Sequence, residues 1–279
     1  RWTVFKSSET RPKRNPGETQ SYEVRKVVFV GLADMFSKEA RSRSKLQKTI
    51  QRASDKHAQS GDRWKSLENL RDDGSPEAIA GLLRRFSFNY DKTIEDEQEK
   101  EWVYQALCEL GAKVVPELRN YMRESETLSW SLKILEHVSS GDSFRETVRM
   151  LCEWNDNTYV RDPSKKIQLV HFMGEHRDAA LIPFIVPYLE DVDEGVRFKA
   201  VEALFGQGQR DAAVGPLSKA LGNPSEESRR IKMAILEGLS AAAWPLGEHA
   251  AVVEAALDDL SVDGKLDGQR RLKLAPSSR

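Results

Sequence analysis

The sequence predicts an all-α chain in which antiparallel helix pairs stack into an α-solenoid, and three observations support this. From about residue 62 onward, apolar residues recur at helical spacing in segments of roughly 10 to 16 residues that Gly, Pro, Asn and Asp separate. No strand-like alternation is evident beyond Val30. One helical pattern also returns along the chain at steps of 28 to 35 residues, and repeats of this length are typical of solenoids.

The composition excludes several classes of protein. The 279 residues include 43 Lys+Arg and 44 Asp+Glu, so the formal net charge is only -1 although 31% of residues are charged. No stretch approaches the roughly 20 apolar residues that a membrane-spanning helix needs. Cys108 and Cys152 lack CxxC spacing, which argues against a zinc ribbon or a disulfide-built domain. We therefore expect a soluble protein in a reducing, cytoplasmic compartment.

Charge and periodicity divide the chain into four parts. Residues 1–30 are mostly polar and contain helix-breaking Pro and Gly residues, which predicts a disordered or non-native N-terminal arm. We predict a basic helical region over residues 31–61, a solenoid of about five to six repeats over residues 62–260, and a basic C-terminal tail over residues 261–279. The net charge is +8 over the first 60 residues and -13 over residues 61–264. The sequence thus predicts an acidic body with basic ends.

Five helices align without gaps when Arg197 is matched to equivalent positions upstream and downstream. The positions equivalent to Arg197 are Val103, Ser131, Lys166 and Lys232. Three columns of this alignment hold apolar residues only: Ala106, Ile134, Leu169, Ala200, Ile235; Leu107, Leu135, Val170, Val201, Leu236; and Leu110, Val138, Met173, Leu204, Leu239. These columns fall on one arc of a helix, so each helix is predicted to bury one stripe.

A partner helix precedes each of these helices. Pro76, Pro116, Pro183 and Pro216 are each interpreted as lying near the start of such a partner. Proline is tolerated in the first helical turn because its missing N–H would have no partner there.

The segment Asp193-Glu-Gly-Val-Arg-Phe-Lys-Ala-Val-Glu-Ala-Leu204 resembles the second helix of a HEAT repeat, with the pattern D-x-x-V-R-x-x-A-x-x-A-L. It is most similar to the short HEAT-like repeat that also occurs in phycobilisome lyases. Residues 231–239 form a weaker copy, while the three upstream helices keep the apolar columns but lose the Val-Arg pair. The resemblance implies a fold and a scaffold role, because members of this family share no common chemistry.

A polar column on the solvated side of these helices is the first candidate binding surface. Glu136, His171, Glu202 and Glu237 occupy it, and Lys199 lies in the column beside it. We expect this ridge to bind a basic segment of a partner protein, with charge raising the association rate. The alternative is that the basic N-terminal region of the same chain occupies it.

The aromatic and acidic segment from Phe86 to Trp102 is the second candidate. It reads as an unusually long connection within one helix pair, and long loops in compact domains are often functional. The candidate partner-binding residues are Phe88, Tyr90, Asp91, Glu95, Asp96 and Glu97. The alternative is structural: Phe86, Phe88 and Trp102 fill the core between helices, and the carboxylates favour the positive N-terminal end of the helix that holds Trp102.

Motifs for catalysis are scarce, so we predict a non-enzymatic protein-binding scaffold without a cofactor. GxSxG, GxxxxGK[ST] and HExxH are absent. HEAT-repeat deoxyhypusine hydroxylases bind di-iron through His-Glu dyads, but the dyads here run in the reverse order, as in Glu136-His137. The acidic body disfavours nucleic acid. An enzyme on this scaffold, either a bilin lyase using Cys108 or Cys152 or a nucleic-acid-modifying enzyme, remains the alternative.

Overall fold

The computed structural model describes residues 39–90 and 92–275, and the predicted arm at 1–30 lies outside them. The described chain is built almost entirely from helices, as the sequence predicts. A first helix, α1, covers residues 39–53. The longer helices that follow are α2 (Ser60–Asp73), α3 (Pro76–Leu83), α4 (Thr93–Leu110), α5 (Val115–Glu124), α6 (Ser129–Val138), α7 (Gly141–Trp154), α8 (Ser164–Glu175), α9 (Ile182–Ile185), α10 (Glu194–Gln207), α11 (Arg210–Leu221), α12 (Arg229–Ala242) and α13 (Ala250–Leu260).

These helices form two layers, which confirms the predicted solenoid. Helices α2, α4, α6, α8, α10 and α12 follow one another in the first layer. In the second layer α3 packs on α5, α5 on α7 and α11 on α13, and the 3-10 segment at 186–190, which continues α9, contacts α11. Short 3-10 segments at 84–87, 111–114, 179–181, 186–190 and 247–249 extend or connect them. None of the helices within residues 39–90 and 92–275 is long and apolar enough to cross a membrane.

The predicted apolar columns are the core between the two layers. Fourteen of their fifteen side chains are buried, and Leu110 at the end of α4 is half-buried. Burying one large aliphatic side chain contributes about 1.5–3 kcal/mol to the free energy of folding, so this stripe is the main source of stability. The periodicity of the sequence therefore identified the packing face of every helix in the first layer from α4 to α12.

The column that contains Arg197 links neighbouring repeats through ion pairs. Arg197 Nε lies 2.7 Å from Glu226 Oε2, and the guanidinium also donates to the carbonyl oxygen of Asp191. Lys166 Nζ lies 2.8 Å from Asp191 Oδ2, with both side chains almost fully buried. In both cases the carboxylate lies just before the corresponding helix of the next repeat. The long cationic side chains thus bridge from one repeat to the next.

One proline lies in the interior of its helix, whereas the sequence analysis predicted it near the start. Pro76 begins α3, and Ser75 Oγ accepts a hydrogen bond from the N–H of Ala78 as the N-cap. Pro216, by contrast, lies inside α11, which begins six residues earlier at Arg210. Burial of Ala213 and Val214 extends this helix upstream of the proline, because apolar burial outweighs the backbone hydrogen bond that proline removes.

The predicted basic tail contains a β-hairpin that periodicity did not reveal. Strands β1 (Gly264–Leu266) and β2 (Leu272–Leu274) pair antiparallel, with Leu266 opposite Leu272. Leu272 is buried, and the N–H of Leu274 donates to Ser240 Oγ of α12 at 3.2 Å. The hairpin therefore packs on the last helices of the stack, although strands of three residues are too short to give an alternating pattern.

Candidate functional site

A groove crosses three consecutive helices of the first layer, and we call it the three-helix groove. It has a volume of about 930 Å³ and is lined by α8, α10 and α12. Its floor consists of half-buried apolar side chains, among them Phe198, Phe205, Met233 and Ala234. Its rim carries the polar side chains His171, Glu175, Lys199, Glu202, Arg230 and Glu237. An apolar floor with a polar rim is the usual composition of a protein-binding surface.

Glycine allows the helices under the groove to approach closely. A Cβ on Gly174 of α8 would lie 2.8 Å from the Cα of Ala203 in α10, which is closer than real side chains come. A Cβ on Gly238 of α12 would lie 2.2 Å from the ring of Phe205. The missing side chains let α8 and α10 meet backbone to backbone, and they make room for the Phe205 ring between α10 and α12.

The charged rim combines paired and unpaired groups. Lys199 Nζ lies 2.6 Å from Glu202 Oε2, and the Arg230 guanidinium carbon lies 3.9 Å from the centre of the Phe198 ring. Glu237 forms no ion pair within residues 39–90 and 92–275. Three carboxylates against two cations give the rim a formal charge of -1.

Most of the predicted polar ridge lines this groove. His171, Lys199, Glu202 and Glu237 all lie on its rim. Glu136 of α6 lies outside it, with its Oε1 3.3 Å from Nε2 of His176. The repeat alignment therefore located the rim of the groove, whereas the apolar floor was not recognised.

The second predicted surface, the segment from Phe86 to Trp102, is not a long loop. Helix α4 begins at Thr93, so the acidic residues from Glu95 onward are helical, and only a short connection precedes them. Glu95 pairs with Lys92 at 3.0 Å, and Glu97 is exposed. Asp91 lies outside the described residues. The prediction of a long connection was wrong because Glu, Lys and Gln are good helix formers and continue the helix.

Asp96 of this segment is buried in a set of charged side chains that we call the buried ion cluster. Its members are Arg63, Arg85, Asp96, Glu99 and Lys100. Arg85 Nη2 donates to Asp96 Oδ1 at 2.6 Å and Lys100 Nζ contacts Asp96 Oδ2 at 2.6 Å. Burial alone would raise the pKa of Asp96, yet the hydrogen bonds from Lys100 and Arg85 lower it. The carboxylate is therefore unavailable to a partner.

Glu99 is the centre of the buried ion cluster. It accepts hydrogen bonds from Arg63 Nε at 2.8 and 2.9 Å, and a further one from Arg85. The cluster thereby ties α2 and the turn after α3 to α4. Sequence reasoning missed this cluster, although one signal was present: Arg63 lies four and seven residues before Leu67 and Leu70, on the buried stripe of α2.

The two predicted aromatic residues of this segment cover the cluster. The Arg85 guanidinium carbon lies 4.6 Å from the centre of the Phe88 ring, and that of Arg63 lies 4.4 Å from the Tyr90 ring. Both aromatic side chains are half-buried. Stacking on guanidinium groups explains their position here.

Neither cysteine is a strong nucleophile. Burial raises the pKa of the Cys108 thiol, and burial raises that of Cys152 to about 12. Both thiols are thus protonated near neutral pH, whereas the thiolate is the reactive form. In the described part of the chain, no group of three or more His, Cys, Asp or Glu side chains is arranged to hold a metal ion.

Comparisons with known proteins find similarity at the level of structure. No protein-family model matches the sequence, and no curated protein matches it. Among solved structures, the chain is similar to human deoxyhypusine hydroxylase in complex with glycerol, at 17% sequence identity and a TM-score of 0.34. The similarity covers 79% of this chain and 92% of that one.

Proposed function

We propose that the protein is a non-enzymatic helical-repeat scaffold that binds a segment of another protein in the three-helix groove. The observation that carries this proposal is the combination, in one groove, of half-buried apolar side chains such as Phe198 and Met233 with rim carboxylates such as Glu237. Exposed apolar surface bordered by polar groups is typical of interaction sites.

The partner segment has a chemistry that complements the groove. Its apolar side chains pack on Phe198, Phe205 and Met233, and this burial provides most of the affinity. Its Lys or Arg side chains lie against Glu202 and Glu237, and they raise the association rate and fix the register. An amphipathic basic helix fits both requirements, because its apolar stripe and its charged flank lie side by side.

Charge reversal on the rim tests this function. The variant Glu202→Lys/Glu237→Lys changes two exposed side chains of the groove, and the matched control Glu254→Lys/Asp258→Lys changes two exposed carboxylates of α13 in the second layer. Proteins captured from the source cell by wild type and by each variant are compared by quantitative mass spectrometry. Binding of the captured protein is then measured by calorimetry.

We expect a partner that wild type and control bind and that the groove variant loses, with affinity falling as salt increases. Melting temperatures of the three proteins should agree, since only exposed side chains change. Equal capture by wild type and the groove variant would contradict the proposal. Turnover of a small molecule that the groove variant loses would contradict the non-enzymatic assignment.

A further inference from the structure

The connection between α7 and α8, residues 155–163, is held in place by one side chain of α8 and one of the following repeat. Tyr188 Oη donates to the carbonyl oxygen of Asn155 at 2.6 Å. Lys166 Nζ donates to the carbonyl oxygen of Thr158 and lies 2.8 Å from Asp191 Oδ2. A buried lysine with both a carboxylate and a carbonyl partner fixes the backbone it contacts.

Hydrogen bonds within the connection order it further. Asp156 Oδ1 accepts from the N–H of Thr158 at 3.2 Å and from its hydroxyl at 2.6 Å. Asp162 Oδ1 accepts from the N–H of Ser164 at 2.9 Å at the start of α8. Such turns fix the backbone locally. The side chains between them are consequently presented in a defined arrangement.

This ordered connection exposes apolar side chains. Tyr159 is 75% exposed and Val160 is 41% exposed, and Val192 from the turn before α10 is 62% exposed. Together they account for three of the four large apolar side chains that are exposed within residues 39–90 and 92–275, the other being Ile94. We call these three residues the loop patch.

The loop patch surrounds a small depression. Tyr159, Val160 and Val192 line it together with Asp191 and Asp193, and its volume is about 90 Å³. A cavity of about 150 Å³ holds benzene, so this depression has room for one aliphatic side chain. It is separate from the three-helix groove, because it lies at the N-terminal ends of α8 and α10 while the groove lies further along both helices.

Carboxylates predominate around the loop patch. The two segments that form it carry exposed Asp156, Asp162 and Glu194, against Arg161 as an exposed cation. Hydrogen bonds from Thr158 and Ser164 hold the pKa values of Asp156 and Asp162 below the usual range, so both are charged at neutral pH. A negative border attracts basic protein segments and repels anionic lipid surfaces.

We propose that the loop patch is a second protein-docking surface, which takes an aliphatic side chain of a partner between Tyr159 and Val192 and Lys or Arg side chains against the surrounding carboxylates. The patch requires no rearrangement to bind, since Lys166 and Tyr188 already hold the connection. A preordered surface loses less conformational entropy on binding. The proposal is independent of the three-helix groove.

A displayed library of random short peptides, selected on the whole protein, provides the probe. Affinities of the selected peptides are measured for wild type, for Tyr159→Ser and Val192→Ser, and for the matched control Ile94→Ser. Ile94 is exposed to the same degree, at 76%, but lies on α4. The groove variant Glu202→Lys/Glu237→Lys distinguishes binding at the loop patch from binding in the three-helix groove.

We expect peptides that combine an aliphatic residue with Lys or Arg and that lose affinity at least about tenfold for Tyr159→Ser and Val192→Ser. Their affinity for Ile94→Ser and for the groove variant should equal that for wild type. Four results would overturn the proposal. The first is that no peptide is selected, and the second is that both patch variants bind the peptides as tightly as wild type does. The third is a wild-type dimer that Tyr159→Ser disrupts. The fourth is that the wild type binds phosphatidylserine vesicles instead of peptides and that the patch variants lose this binding.

Discussion

Replacing Glu99 by glutamine tests the energetics of the buried ion cluster directly. Glu99 is fully buried and accepts hydrogen bonds from Arg63 and Arg85. Glutamine keeps nearly the same shape but removes the charge, so Arg63 loses its carboxylate partner and the formal charge of the cluster rises from +1 to +2. Removing one partner of a buried ion pair costs about 3–5 kcal/mol, because the remaining charge stays desolvated without compensation.

The assay is urea unfolding followed by far-UV circular dichroism at neutral pH. The control is Glu97→Gln, because Glu97 lies two residues away on α4, is 59% exposed and is 3.8 Å from Lys100. Its free energy of unfolding should change by less than about 0.5 kcal/mol. If Glu99→Gln costs no more than the control, the cluster is hydrated in solution and does not hold α2, α3 and α4 together.

Three further predictions concern packing and pH. Leu204→Ala should destabilise the protein by about 2–5 kcal/mol in urea unfolding, since Leu204 is fully buried; a loss below about 1 kcal/mol would mean that the layers pack loosely. Gly174→Ala should cost about 1–3 kcal/mol despite the higher helix propensity of alanine, because the added Cβ meets Ala203; a more stable variant by thermal melting would contradict the close contact. Hydrogen bonds from the Arg271 side chain and from the N–H groups of Arg271 and Gln269 lower the pKa of Asp267 to about 2. Since the unfolded value is about 3.9, the hairpin should keep this stabilisation above pH 4 and lose it as the pH falls toward 2. The N–H of Ala275 donates to the carbonyl oxygen of Asp263 across the hairpin at 2.9 Å. Hydrogen exchange at Ala275 should show this loss in wild type and its absence in Asp267→Asn.

The repeat architecture was predictable because its signal is local. The spacing that places Leu169, Val170 and Met173 on one face follows from the helix itself, and the structure buries all three. The polar rim was predictable for the same reason. The floor of the groove was not, because it depends on how closely α8 and α10 approach, which the contact between Gly174 and Ala203 sets.

The contacts within the buried ion cluster could not be predicted from the sequence alone. Arg63 and Glu99 are 36 residues apart and meet only after three helices have packed. The segment that holds Asp96 was interpreted as a connection, so this carboxylate was assigned to an exposed binding surface. Asp96 and Glu99 lie on the same helical stripe as the buried Val103. Their pairing with arginines of other helices is a property of the tertiary structure, which the spacing within one helix does not contain.

The C-terminal hairpin also has a consequence for self-assembly. A stack of similar repeats presents at its last pair the same kind of apolar face that the next pair would cover, so two copies can in principle polymerise end to end. Here Leu272 and Leu274 of the hairpin pack against that end, and Gly264 fits closely against Leu257 of α13. A two-stranded ribbon offers no helical ridges for another helix pair to interlock with, so a further helix pair would pack less closely on this face than on a bare helix pair.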